Sequence, residues 1–177
     1  MASGVEIRSY RPDDAKSLFE AALESSAEVY PWATWCHPGY SVEDAKEWSL
    51  AKALEFEKGH EFEFVITGEG GRFLGGCALN QINLADRTAN LGYWVRSSAT
   101  GNGVATEAVR QAVRFAFSNT NLERLEIVCA VNNRASQRVA EKAGAVREGV
   151  ARSRIYLQGG SSDAVVFSIL RSDGPAV

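Results

Sequence analysis

Cysteine is scarce in this sequence. Cys36, Cys77 and Cys129 are the only three, and their spacing matches no zinc or redox motif. No metal and no disulfide framework are expected. Cys77 and Cys129 sit in apolar runs and read as small core residues. Free thiols point to a reducing compartment. No apolar stretch reaches membrane-spanning length, and Met1-Ala2-Ser3-Gly4-Val5-Glu6 lacks the apolar run of a signal peptide. The expectation is a soluble cytoplasmic protein with no membrane partner. An excess of one charge is also missing. The net charge of −3 is too balanced for a sequence-blind nucleic-acid binder, so no nucleic acid is expected. Repeats, linkers and low-complexity segments are absent, and residues 1–177 read as one domain.

What is present alternates between two periodicities. Residues 6–10 alternate as a short strand. Arg11-Pro12-Asp13-Asp14 opens a helix with acids in its first turn, carrying Ala15, Leu18, Phe19, Ala22 and Leu23 at helical spacing. An aromatic loop over 30–40 follows. Ser41 begins a second helix with Asp44 as capping partner, ending near Lys58-Gly59. Residues 60–67 and 72–84 read as a hairpin around Glu69-Gly70-Gly71, and 88–95 as a further antiparallel strand. A glycine turn leads into a helix over 104–118. Residues 125–131 form a nearly continuous apolar run, which reads as a strand buried on both faces. Asn132-Asn133-Arg134-Ala135-Ser136 starts another helix that stops at Gly144. Strands at 146–157 and 164–170 close the chain, joined by residues 158–162. One mixed α/β domain accounts for this order.

The chemistry-bearing element is the turn Thr100-Gly101-Asn102-Gly103-Val104-Ala105-Thr106, set between a strand and a helix. Free N–H groups at a helix N-terminus and the helix dipole together favour an anion. Gly101 and Gly103 let the backbone approach phosphate oxygens. By itself the turn is equally readable as a loose dinucleotide fingerprint or a plain helix start. A dinucleotide fold requires several βαβ units and a fingerprint near the domain's start. One such unit is legible here, past the midpoint of the chain, so a nicotinamide-dependent oxidoreductase is disfavoured.

A second element follows: Asn133-x-x-Ser136-x-x-Val139-x-Glu141-Lys142-x-Gly144. Taken with Gly101-Asn102-Gly103-Val104-Ala105-Thr106-Glu107-Ala108, Val131-Asn132-Asn133-Arg134-Ala135-Ser136 and Arg147-Glu148-Gly149, the sequence resembles the GNAT superfamily of acyl-CoA N-acyltransferases. It is most similar to the RimJ/RimL-type branch, which acetylates N-terminal α-amines of ribosomal proteins; Tyr30-Pro31-Trp32 looks like that branch's aromatic loop. The resemblance implies a GNAT fold: a mostly antiparallel sheet of about six to seven strands with a splayed parallel pair, and about four helices. It implies acetyl-CoA as cosubstrate and a homodimer as a common assembly. It implies that backbone groups of Tyr93, Trp94 and Val95 pair with the pantetheine arm. The N–H groups of Gly101, Asn102, Gly103, Val104, Ala105 and Thr106 would hold the pyrophosphate, Thr100 and Asn133 would contact the cofactor, and Ser136 would sit near the sulfur. The branch's turn often opens with Gln or Arg, where this chain has Thr100.

Attack of an amine on a thioester needs the amine held, the oxyanion stabilised and the sulfur protonated. Ser136 reads either as the donor to sulfur or as a hydrogen bond in the helix start after an Asn133 cap. No base stands out: His60 heads a strand and His37 lies in a loop, while Glu63 points either into the cleft or to solvent. An α-amine with pKa near 7.8 is about 14% neutral at pH 7, and a lysine near 10.4 only about 0.04%, a difference of roughly 3.5 kcal/mol. A site with no evident base therefore suits an α-amine. Trp32 and Trp35 read as substrate-wall residues, and Trp48 as cover for the core. The expected activity is acetyl transfer from acetyl-CoA to a primary amine of a protein N-terminus or a small molecule. An acyl-CoA sensor without turnover is the non-enzyme alternative.

Overall fold

Alternation at the N-terminus produces β1 (Glu6–Ser9), the first strand in a computed structural model that describes residues 4–174. Met1, Ala2 and Ser3, part of the segment read as lacking a signal peptide, lie outside the described residues. The first helix begins later than the sequence suggests. Pro12–Asp14 forms a separate 3₁₀ turn, and α1 runs over Ala15–Val29. The Asp14 carboxylate explains the break: it accepts from the Arg11 N–H at 2.7 Å and from the Arg8 guanidinium at 2.6 and 2.7 Å. α2 (Val42–Lys58) opens on the capping box read from the sequence. Ser41 Oγ accepts from the Asp44 N–H, and the Asp44 carboxylate accepts from the Ser41 N–H.

The sheet follows as β2 (Phe62–Thr67), β3 (Phe73–Asn83), β4 (Thr88–Val95), β5 (Arg124–Ala130), β6 (Val146–Leu157) and β7 (Gly160–Leu170). α3 (Val104–Asn119) links β4 to β5, and α4 (Arg134–Lys142) links β5 to β6. The strand order is β1-β2-β3-β4-β5-β7-β6. Among the described strands every pairing is antiparallel except β4 with β5. This is the mixed α/β architecture that the resemblance implies.

Two expectations are corrected. β7 starts at Gly160 rather than at 164, so Gln158-Gly159 alone turns the hairpin. Its polar outer half pairs through the backbone (Leu157↔Gly160, Tyr156↔Ser161, Ile155↔Ser162) and so carries no apolar signal. β5 is not buried on both faces: Leu125, Ile127 and Cys129 are buried, whereas Arg124, Glu126 and Val128 are half-buried. α1 and α2 pack over β1, β2 and β3 instead.

The helices divide the core into two clusters. On one face α3 and α4 cover Phe64, Leu79, Leu91, Leu125, Ile127 and Phe167. On the other, Leu18 and Ala21 of α1 and Ala45 of α2 pack on Val65 and Phe73. Burial of these apolar surfaces drives the assembly of the three layers. No described helix is long and apolar enough to cross a membrane.

Candidate active site

β4 and β5 share three residue pairs, Thr88↔Arg124, Ala89↔Leu125 and Asn90↔Glu126, and then part. Among the described residues, the β5-facing main-chain groups of β4 beyond Asn90 have no strand partner. Such groups must find another one, because an unpaired backbone N–H or C=O in a closed site is costly. The open wedge is bounded by the glycine turn after β4 and by the start of α4 after β5.

The turn is held from behind. A 3₁₀ turn at Ser97–Ala99 follows β4. The Ser97 N–H donates to Ser25 Oγ at 3.0 Å, and the Ser98 N–H to the Glu24 carboxylate at 2.8 Å. Arg96 pairs with the same carboxylate. The Arg96 guanidinium and the Ser98 N–H together hold Glu24 down to about 2. The side chains within the turn are used locally: Thr100 Oγ1 donates to the Ser97 carbonyl and Asn102 Nδ2 to the Thr100 carbonyl. No side chain caps α3. Among the described residues, none of the N–H groups from Gly101 to Thr106 has an acceptor. Gly101, at φ +80°, and Gly103, at φ +77°, adopt the left-handed conformation that aims these donors outward. A Cβ at Gly101 would meet open space, so its requirement is conformational. An exposed row of unspent donors on a helix dipole fits a pyrophosphate.

On the other side of the wedge, Asn133 caps α4: its Oδ1 accepts from the Ser136 N–H at 3.1 Å. The cap is thus made by the Ser136 amide, and its hydroxyl is engaged elsewhere. Ser136 Oγ lies 3.1 Å from the Tyr93 hydroxyl and 3.1 Å from Cys129 Sγ. Tyr93 in turn donates to the Ser136 carbonyl at 2.8 Å. Burial pushes both the Tyr93 phenol and the Cys129 thiol up, so both stay protonated. Three protonated donors therefore end in one chain at the wedge.

β4 alternates, so Tyr93 faces α4 while Trp94 faces α1 and α2. There a cavity of about 280 Å³ opens. Its floor is made of small residues, Gly76, Ala78 and Gly92. Its walls are Tyr10, Trp35, Tyr40, Trp48, Asn80, Trp94 and the carboxylate-bearing Glu63. Trp35 meets Trp94 edge-on, with ring centroids 5.0 Å apart, and Tyr40 at 5.5 Å. Glu63 is 8% exposed. Burial raises its pKa to about 7, against the pull of Lys52.

The structure therefore brings together Tyr93, Trp94, Val95, the residues of the turn, Asn133 and Ser136 around the wedge, with Trp35 and Glu63 in the adjoining cavity. It does not place Trp32 there: Trp32 is 40% exposed on the turn after α1. Trp48 lines the cavity rather than covering the core, and Lys52 Nζ stands 4.6 Å over its ring. His37 and His60 are both exposed. Sequence reasoning missed Tyr10, Asn80 and the indole of Trp94. Their signal was the period-2 register, which puts Asn80 and Trp94 on the same face as Glu63.

Comparison with known proteins gives a consistent picture. The family described as "Acetyltransferase (GNAT) domain" matches residues 5–146. "Putative ribosomal N-acetyltransferase YdaF" of Bacillus subtilis (strain 168) is 28% identical over 170 residues, 96% of this chain and 92% of that protein. "Probable N-acetyltransferase YjcK" of the same organism is 36% identical over 136 residues, 76% of this chain and 75% of its own. Among solved structures, Mycobacterium smegmatis RimJ in complex with CoA-disulfide superposes with a TM-score of 0.88 at 26% identity. That superposition covers 97% of this chain and 84% of the other.

Proposed function

The chain belongs to the GNAT acetyltransferase family and is an acetyl-CoA-dependent N-acetyltransferase; from that premise we propose that its acceptor is an N-terminal α-amine of a protein, or a small primary amine, which attacks the thioester directly. The observation that carries this reading is the position of the cavity. It adjoins the wedge between β4 and β5 along Gly92, Tyr93 and Trp94, so an acceptor in the cavity and a thioester in the wedge meet at one strand.

The chain's own groups divide the work. The N–H groups from Gly101 to Thr106 bind the pyrophosphate, and the β5-facing main-chain groups along Tyr93, Trp94 and Val95 align the pantetheine arm. A backbone N–H of that strand stabilises the oxyanion as the tetrahedral adduct forms. The Ser136 hydroxyl proton turns from the Tyr93 oxygen to the departing sulfur; Tyr93, through the Ser136 carbonyl, and Cys129, at the hydroxyl itself, keep Ser136 in place. Asn133 fixes the start of α4. Trp35 walls the acceptor.

Similarity to a protein named as a ribosomal N-acetyltransferase supports a protein N-terminus as acceptor. We also place the protein in the cytoplasm, which its three free, buried cysteines suit. A homodimer is supported by edge strand β6, where Val146, Val150 and Tyr156 are exposed. The decisive experiment is a thiol-release assay with acetyl-CoA over a panel of amines: a peptide with a free N-terminal serine, spermidine, and an N-blocked peptide carrying one lysine. Turnover is expected with the first or second. Exclusive turnover of the lysine peptide would refute the α-amine reading.

A further inference from the structure

The cavity holds one carboxylate whose charge is not balanced. Lys52 lies 4.0 Å from Glu63, but its shorter contact, at 2.5 Å, is with Glu61. Lys52 is thus committed to Glu61, and Glu63 keeps only a partial counterion. A buried carboxylate in that position favours an arriving cation. The surrounding rings do the same, because their faces attract cations; Trp35, Tyr40, Trp48 and Trp94 border the same space.

The register shows where Glu63 leads. Glu63 on β2 pairs with Ala78 on β3, and Ala78 with Gly92 on β4. Residues directly opposite in antiparallel strands share a face. A bare floor therefore runs from Glu63 to the edge where β4 leaves β5. Two strand spacings make it about 10 Å long at the backbone, less the reach of the glutamate side chain. The nitrogen of a small amine on that floor stands between the carboxylate on one side and the wedge on the other.

Resting on the acetyltransferase reading above, we propose that Glu63 binds the acceptor as its ammonium and takes its proton, and that the cavity thereby selects compact primary amines with no neighbouring carboxylate. The ammonium gives one proton to the Glu63 carboxylate. The freed lone pair forms the C–N bond to the thioester carbonyl carbon. Collapse of the adduct breaks the C–S bond, and the electron pair leaves with sulfur. Ser136 protonates that sulfur and is reprotonated by the second nitrogen proton; Glu63 returns the first to water. The sum is one amide, one thiol and one released proton.

The titratable groups around Glu63 are Lys52 from α2, Glu61 from β2, Tyr10 from the segment after β1 and, from the opposite face of β3, Cys77, the last two held neutral by burial. With Glu63 at about 7 and an α-ammonium near 7.8, transfer is uphill by less than tenfold; from a lysine ammonium near 10.4 it is uphill by roughly a thousandfold or more. A free amino acid brings its carboxylate close to Glu63 and Glu61, where like charges repel strongly at low dielectric.

The test compares serinamide with free serine, in the wild type and in Glu63→Gln and Glu63→Asp, with acetyl-CoA affinity measured by calorimetry. The wild type is expected to favour serinamide at least tenfold. Its kcat should rise through a pH limb near 7 that does not move when the acceptor is changed to glycinamide, whose α-amine has a different pKa. Glu63→Gln should bind acetyl-CoA normally, lose roughly a hundredfold or more in kcat/KM, lose that limb and narrow the preference; Glu63→Asp should recover part of the rate. A Glu63→Gln variant with unchanged rate and limb overturns the proposal alone, as does a wild type indifferent to the carboxylate. A wild type that binds acetyl-CoA and acetylates no amine overturns the acetyl-transfer reading as well.

Discussion

The Ser136 hydroxyl oxygen lies 3.1 Å from the Tyr93 phenol oxygen, and that phenol donates back to the Ser136 carbonyl at 2.8 Å. The contact joins β4 to α4 across the wedge, so it both orients a proton donor and ties together the two walls of the site. The two roles separate by mutation. Ser136→Ala keeps the amide that Asn133 caps, and is expected to melt near the wild type while kcat falls roughly a hundredfold. Tyr93→Phe should cost about 1 kcal/mol of stability and lower kcat less. Steady-state kinetics with thermal unfolding checks both; a Ser136→Ala enzyme of undiminished kcat removes Ser136 from the mechanism.

Asn133 carries a prediction of the opposite kind. α4 has nine residues, too few to be stable without packing and capping. Asn133→Ala removes the side-chain acceptor of the Ser136 N–H and is expected to cost about 0.5–2 kcal/mol. Because the start of α4 also borders the wedge, KM for acetyl-CoA should rise together with the loss in urea midpoint.

Much of this site was legible in the sequence because its cofactor half is local. A strand, two glycines and a helix start lie within a dozen residues, and Asn133 and Ser136 lie within one helical turn, so spacing alone brings them together. The acceptor half is not local. Glu63, Asn80 and Trp94 come from three strands, and only the register puts them on one face. Trp32 misled because a loop aromatic carries no periodicity that says which way it faces. Glu63 could be read as a solvated strand residue because strand periodicity does not say that α2, which ends at Lys58 just before β2, folds back over that face.

The glycine turn separates conformation from space. Gly103 has φ +77°, a region that a β-branched residue adopts only under strain. Gly103→Val is therefore expected to lose about 1–3 kcal/mol of stability as well as at least tenfold in acetyl-CoA affinity. Gly101→Ala also meets strain at φ +80° but has open space around its Cβ, so the folding cost should be smaller and the affinity loss should reflect the turn's geometry. Calorimetry with acetyl-CoA on both variants decides whether the turn binds it; unchanged affinity in both would remove that role.

Acid stability follows from two ion pairs. Arg96 holds Glu24, and Arg124 holds Glu148, down to about 2 from an ordinary 4.5. A carboxylate depressed in the folded state contributes stability above its unfolded pKa and loses it as pH falls through the folded one. The contribution of both pairs should therefore be complete above about pH 5 and decline between 4.5 and 2. Urea denaturation across that range should show the decline. Glu24→Ala should flatten it and, by removing the acceptor of the Ser98 N–H, also weaken acetyl-CoA binding. Glu148→Gln should flatten it without touching binding.

Gly76 offers the most selective test of the cavity. A Cβ there would stand 2.9 Å from Trp94 Nε1 and 3.1 Å from the Tyr10 hydroxyl. Trp94 has little freedom to yield, since Trp35 and Phe73 pack against its ring at centroid distances of 5.0 and 6.0 Å. Tyr10 is 4% exposed and equally confined. Gly76→Ala should thus push the indole into the cavity while leaving the N–H groups of Gly101 to Thr106 alone. KM for the amine acceptor is expected to rise at least tenfold, with KM for acetyl-CoA within about twofold and the fold retained. An equal rise in both would mean that the cavity and the wedge are one binding site for acetyl-CoA, and the acceptor would then have to enter from elsewhere.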